Sequence, residues 1–169
     1  MAYAAAGKAK SNMSALNYVL IVGGVLLLGV VSGFFGGAYG RMDNLVRPMF
    51  TPPHAVFYVL QPLCCFLLGN ALFFLLTADR CAAHTAAYRI AAVSALLAAL
   101  ALLIAVPYLL TYLKAYSAGF ILLSAAAALL AGLTVIAFKI NKAAALFVLP
   151  ALAWLAFCLA FLIAIAMYN

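Results

Sequence analysis

Only eleven residues of this chain, nine basic and two acidic, carry a formal charge, and they fall in short groups. Between the groups lie uncharged intervals at 11–40, 48–78, 90–113, 115–138 and 143–169, of 30, 31, 24, 24 and 27 residues. A helix needs about 20 predominantly apolar residues to cross the hydrocarbon core of a bilayer. Each interval therefore holds one crossing, and none comfortably holds two. The spacing predicts an all-α integral membrane bundle of five transmembrane helices, near residues 16–38, 54–77, 86–110, 116–138 and 143–167, with the two termini on opposite sides.

Composition points the same way. Of the 169 residues 72% are hydrophobic and 7% charged, with a mean hydropathy of +1.30, against roughly 25% charged in soluble domains. The chain divides into a short basic N-terminal tail at 1–15 and a five-helix transmembrane domain at 16–169, with no room for a soluble appendage. The tail carries Lys8 and Lys10. It lacks arginine, amphipathic patterning and a convincing cleavage site, so it is expected to be disordered rather than a targeting peptide.

The net charge of +7 does not imply nucleic acid, because the basic residues are spread over loops and tails instead of forming one exposed face. They act on topology. Lys8, Lys10, Arg80, Arg89, Lys139 and Lys142 fall on the N-terminal side, and Arg41, Arg47 and Lys114 on the other. Six against three is a weak bias, which leaves the orientation open.

Most chemistry is excluded by what the spans lack. Asp43 and Asp79 are the only acids, and both lie in predicted loops, so no carboxylate pair can work as general acid and base in the bundle. Apart from His54 and Arg89 at span ends, no ionisable acid or base sits within a span to mark an ion or proton pathway. Cys64, Cys65, Cys81 and Cys158 have no CxxC spacing, and His54 and His84 have no partner at metal-ligand spacing. Neither an enzyme nor a cofactor or metal is expected.

The helices instead contain small-residue stripes and prolines. Gly29, Gly33 and Gly37, Ala91, Ala95 and Ala99, and Ser124, Ala128 and Gly132 each recur every four residues. Such strips allow close helix approach, either within the bundle or across a dimer. Pro62, Pro107 and Pro150 fall inside spans and tend to kink them. Freed carbonyls are tolerated in lipid only where protein or a polar cavity satisfies them, which is compatible with an internal pocket near Gln61, Asn70 or Trp154.

Two segments carry a resemblance. Residues 41–54 read RMDNLVRPMFTPPH, and residues 143–157 read AAALFVLPALAWLAF. The first resembles the L-x-K/R-P-x-F/W-x-P-P loop, and the second the A-A-x-L-L-x-P-Y-L-A-W-L-A-F helix, of the translocator protein family, also known as tryptophan-rich sensory proteins or peripheral benzodiazepine receptors. Gly69, Pro107 and the final Asn169 are in register as well. The resemblance implies a five-helix bundle, often a homodimer, whose cavity opens toward the first loop and takes porphyrins, benzodiazepine-like ligands or sterols.

Carried over residue by residue, the resemblance makes Leu45, Arg47, Pro48, Phe50, Pro52 and Pro53 a lid loop, Pro107 a helix kink, and Trp154, Ala156 and Phe157 part of the cavity-facing last helix. The chain departs from the pattern at Gln61 and Cys65, where the family has tryptophan and tyrosine. Leu122 stands where it has aspartate, and Leu162 where it has asparagine. A run of Leu103 to Val106 replaces its tryptophan cluster before Pro107. Aromatic walls stack flat tetrapyrroles, whereas a sterol asks mostly for apolar shape, and that survives. Leu110 to Lys114 also fits the loose cholesterol pattern.

The expected function is that of a non-enzymatic membrane protein binding an apolar or amphipathic small molecule, a sterol, lipid or tetrapyrrole, for transport or sensing. The ligand-binding residues would be Leu45, Pro48, Pro52, Pro53, Gln61, Cys65, Pro107, Trp154, Phe157 and Leu162. The alternative is a structural subunit of a larger membrane complex that has lost its ligand site. Implied partners are membrane lipid, the hydrophobic ligand and a second copy or complex subunits. The membrane would be mitochondrial in a eukaryote and the cell envelope otherwise.

Overall fold

A computed structural model describes residues 2–36, 53–77, 83–113 and 116–168. Its elements are α1 (Ala2–Gly36), α2 (His54–Thr77), α3 (Ala83–Tyr112), α4 (Tyr116–Ile140) and α5 (Lys142–Tyr168). All five are long and apolar enough to cross a bilayer. Inside hydrocarbon no water can satisfy backbone amides, so a run of this length closes its hydrogen bonds within itself. The chain is an integral, multi-pass, all-α membrane protein.

The bounds of α2 coincide with those predicted, and α3, α4 and α5 run one to three residues past theirs at one or both ends. The larger difference is α1, which begins at Ala2 instead of near residue 16. The basic segment continues the helix because alanines at 2, 4, 5, 6 and 9 are strong helix formers and no proline interrupts them. Extending an existing helix also avoids the cost of nucleation.

Around the bundle the helices run α1, α2, α5, α4, α3 and back to α1, with α2 and α3 also in contact across the middle. Without a hydrophobic drive in lipid, association relies on close packing and hydrogen bonds. Alanine makes the close approach available: Ala71, Ala92, Ala99, Ala126, Ala137, Ala144, Ala145 and Ala151 are completely buried, between Leu68, Leu75, Leu96 and Leu130. α1 is peripheral, with 17% of its span buried against 50% for α2.

The small-residue stripes divide. Gly29 is buried against α2, where an added Cβ would lie 2.5 Å from Cys65 Sγ, whereas Gly33 has nothing within 4 Å. Gly37 lies outside the described residues. In α3 only Ala99 of the three alanines is fully buried. The α4 stripe stays outside the packed core: Ala128 and Gly132 are exposed, and Gly132 meets nothing within 4 Å. The rotation of α4 is set by Leu123, Leu130 and Leu133, which take the buried face with Gly119, Ala126 and Ala137.

Polar contacts pin α1 to its neighbours. Tyr18 donates its hydroxyl to Asn70 Oδ1 at 2.9 Å, and Asn70 Nδ2 donates to the Phe66 carbonyl at 2.8 Å. Ser32 Oγ donates to the Ile104 carbonyl at 3.2 Å. Ile104 lies three residues before Pro107, in the turn of α3 next to the carbonyl of Leu103 that loses its usual N–H partner, so the serine fastens α1 to α3 beside the proline. Substituting Tyr18→Phe should cost about 0.6 kcal/mol, and at most about 1.7 kcal/mol, the range of interhelical hydrogen bonds in membranes. A double-mutant cycle with Asn70→Ala in bicelles would read this directly, and zero coupling would mean that the bond is idle.

The connection from α4 to α5 is a single residue. Asn141 N–H closes the last turn of α4 on the Ala137 carbonyl at 2.8 Å, and its own carbonyl accepts from Ala145 N–H at 3.3 Å. Its Oδ1 caps the Ala143 N–H at 2.9 Å, the usual service of an N-cap asparagine.

Candidate functional site

Alternate crossings put the start of α2, the end of α3, the start of α4 and the end of α5 at one end of the bundle, that of the connection from α1 to α2. A cavity lies there. α2 contributes Phe57 and Gln61, α3 Leu103, Val106, Pro107 and Leu110, α4 Leu123, and α5 Trp154, Leu155, Cys158, Phe161 and Leu162. Its free volume is ≈ 30 Å³. That admits a water-sized guest, well short of the roughly 300–1,000 Å³ of pockets that hold small organic ligands. In this arrangement the leucine and aromatic side chains fill most of the space between the four helices.

One wall is aromatic. The Trp154 ring is stacked on Phe157 at 5.3 Å and 20°, and tilted against Phe57 at 5.6 Å and 58°. Phe161 completes the group, 5.5 Å from Phe57 and parallel within 10° to Phe157 at 6.5 Å. The spacing of α5 explains the group, because residues 154, 157 and 161 recur at three and four along one helix face. Among the described residues Trp154 Nε1 is a buried side-chain nitrogen with no hydrogen-bond partner. Leaving a buried donor unmet costs about 1–3 kcal/mol. The other polar side chain of the wall, Gln61, is 8% exposed.

Gln61, Pro107, Trp154 and Leu162, expected from the sequence at the site, all line the cavity. Cys65 does not. It is 1% exposed and faces Gly29 of α1, one turn deeper than Gln61. Phe157 backs Trp154 without lining the space. Pro53 is exposed immediately before α2, and its carbonyl accepts the Val56 N–H at 2.9 Å. Proline fits there because no helix bond needs its missing N–H. Leu45, Pro48 and Pro52 lie outside the described residues.

Of the three span prolines only Pro107 borders the cavity, whereas Pro150 is on an exposed face and Pro62 lies close to Gly29. Sequence reasoning missed Phe57, Cys158 and Phe161 and the leucine and valine lining. Helical spacing contained part of the signal. Phe57 is one turn before Gln61, Cys158 and Phe161 share a face with Trp154, and Leu103 and Leu110 flank Pro107 at four and three residues.

No curated protein matches the chain significantly. The sequence profile of the TspO/MBR family, in contrast, matches residues 21–168, from within the first span to the end of the fifth. With five spans and a match over nearly its full length, the chain belongs to the TspO/MBR family.

Proposed function

We propose that the bundle binds an apolar or amphipathic small molecule in the cavity formed by Gln61, Pro107, Trp154 and Leu162, and that it serves transport or sensing without catalysis. The observation that carries this is the pairing of an aromatic wall with a buried indole N–H that has no acceptor among the described residues. A ligand offering one oxygen acceptor and an otherwise apolar body would satisfy it. A sterol or lipid fits that description better than a tetrapyrrole, whose broad plane needs more flat wall than the Trp154 cluster offers. Filling the site requires leucine and phenylalanine side chains to move, since the free volume is only ≈ 30 Å³.

Family resemblance supports Leu45, Pro48, Pro52 and Pro53 as the cover of this end of the bundle, with Phe157 behind the wall and Cys65 beneath it. It also supports a homodimer, for which the exposed α4 face at Ala128 and Gly132 offers close helix approach. By the same resemblance the membrane is mitochondrial in a eukaryote and the cell envelope otherwise.

A second reading, a structural subunit of a membrane complex, is favoured by the tightness of the cavity. Titration separates the two. Trp154 is the only tryptophan, so its emission in nanodiscs reports the site alone. Saturable quenching by a sterol analogue, but not by protoporphyrin, is the expected result. Linear quenching by both, together with a stoichiometric protein partner on gentle extraction, would replace ligand binding by the structural role.

A further inference from the structure

We infer that Leu162 is the gate of a lateral portal through which the small molecule enters the cavity directly from the bilayer, between α4 and α5. This rests on the ligand-binding reading above and adds the route and the residue that controls it.

A second depression lies on the lipid side of the same end of the bundle, with a volume of ≈ 440 Å³. It is bounded by Phe120 and Ile121 of α4 and Ile163 of α5, all exposed, with Tyr116 and Ser117 at its outer end. Its remaining wall includes Leu162, which also lines the interior cavity. Leu162 is 6% exposed and so belongs to the core. One leucine side chain is therefore common to a ligand-sized groove on the lipid-facing side and a small cavity behind it.

The helix pairing explains why the seam is open at this end. At the other end α4 and α5 are tied by Asn141 alone, and Ala137, Ala144 and Ala145 are completely buried. At the groove end the buried small residue of α4 is Gly119, and it is turned toward α3, where an added Cβ would lie 2.7 Å from Leu110 Cδ2. Among the residues whose side chains are described, no small buried one closes α4 on α5 there. Larger side chains stand along the seam, and between them a groove remains.

The occupant follows from the groove's position and lining. The seam lies within the apolar spans of both helices, so what reaches it comes from the membrane. Its walls are apolar along their length and hydroxylated at the Tyr116 and Ser117 end, which suits a molecule with an apolar body and one polar end. The volume falls within the roughly 300–1,000 Å³ of ligand sites. The groove would hold the molecule first, and a change of the Leu162 rotamer would join it to the cavity without displacing a helix.

The test uses phospholipids brominated on their acyl chains, which quench tryptophan on contact, in nanodiscs containing the whole chain. Leu162→Ala should expose Trp154 to these lipids and raise the quenched fraction, whereas Leu162→Phe should not. Energy transfer from Trp154 to a fluorescent sterol gives the arrival rate. Leu162→Ala should accelerate it on the order of tenfold, which corresponds to lowering the barrier by about 1.4 kcal/mol, and Leu162→Phe should slow it. The exposed Leu146, on the other half of α5, is the control, and Leu146→Ala should change neither readout.

Saturable sterol binding with rates unaffected by either Leu162 variant would overturn the portal and leave the binding site standing. Increased bromolipid quenching in Leu162→Ala, with no saturable sterol binding in any variant, would keep the portal and refute the ligand reading. If Leu162→Ala fails to fold, the slower arrival in Leu162→Phe carries the test. A Ser117→Cys cross-link between two copies that leaves sterol arrival unchanged would assign the groove to a dimer and overturn the proposal.

Discussion

Replacing Gly29 by alanine is expected to destabilise the bundle by about 1–3 kcal/mol, the usual cost of forcing a methyl group into a packed interior. An ideal Cβ at this position lies 2.5 Å from Cys65 Sγ, 2.6 Å from Cys65 Cβ and 3.6 Å from Pro62 Cα. The thiol could rotate aside, but Cβ is fixed by the backbone of α2, so α1 must retreat. Gly33→Ala, with nothing within 4 Å, should instead be neutral or gain up to about 1 kcal/mol from helix propensity.

Gly119 and Gly69 fall between these limits for different reasons. The methyl group of Gly119→Ala meets the flexible end of Leu110 at 2.7 Å, and that of Gly69→Ala meets Val22 Cα at 3.2 Å and Val25 Cβ at 3.3 Å. The first is relieved by a rotamer and the second by a shift of a few tenths of an ångström. Cys65→Ser should not rescue Gly29→Ala, whereas Cys65→Gly should rescue it in part, since it removes the Cβ clash. Unfolding free energies in bicelles would order the series. Equal losses at Gly29 and Gly33 would show that the α1–α2 contact is not the seat of the effect.

The same glycine shows how much the sequence can say. Charge spacing alone located all five helices, because water exclusion in a bilayer forces each long uncharged interval into one element. What four-residue recurrence could not specify was the direction in which a stripe faces. Gly29 meets α2 and Gly132 meets nothing within 4 Å, although both sit in the same kind of repeat. Hydrophobic periodicity normally settles rotation, but in lipid both faces of a helix are apolar and the pattern is silent. Volume decides instead, and Leu123, Leu130 and Leu133 turn α4 away from its own stripe.

The site was legible to the extent that local marks identify it. A span glutamine, a span proline and a lone indole gave Gln61, Pro107 and Trp154, and family register gave Leu162, all four of which line one cavity. Cys65 was displaced from it because its position along α2 turns it toward α1. Phe57 and Phe161 carried no mark beyond helical spacing, and twelve phenylalanines in the chain dilute that signal. The meeting of Phe57 with Trp154 and Phe161 depends on α2 and α5 being neighbours, a fact of the helix order that no single segment contains.

Trp154 then provides the sharpest division between a ligand wall and a packing residue. Truncation to alanine should weaken sterol binding by about 1.5–3 kcal/mol, roughly ten- to a hundredfold, if the ring is covered by ligand. Trp154→Phe is more discriminating. It keeps most of the aromatic surface that stacks on Phe157 and deletes the N–H that has no partner among the described residues. Removing an unmet buried donor should leave the empty bundle as stable or more so, because its desolvation cost disappears with it. Binding of a sterol that presents an oxygen acceptor should fall by about 0.5–1.5 kcal/mol, some two- to tenfold. An analogue without the oxygen should bind the variant and the parent equally. Displacement of a fluorescent sterol and unfolding in bicelles measure the two quantities separately. If Trp154→Phe lowers stability as far as Trp154→Ala and affinity for both analogues is unchanged, the indole is a packing element between α2 and α5, and the structural-subunit reading takes precedence.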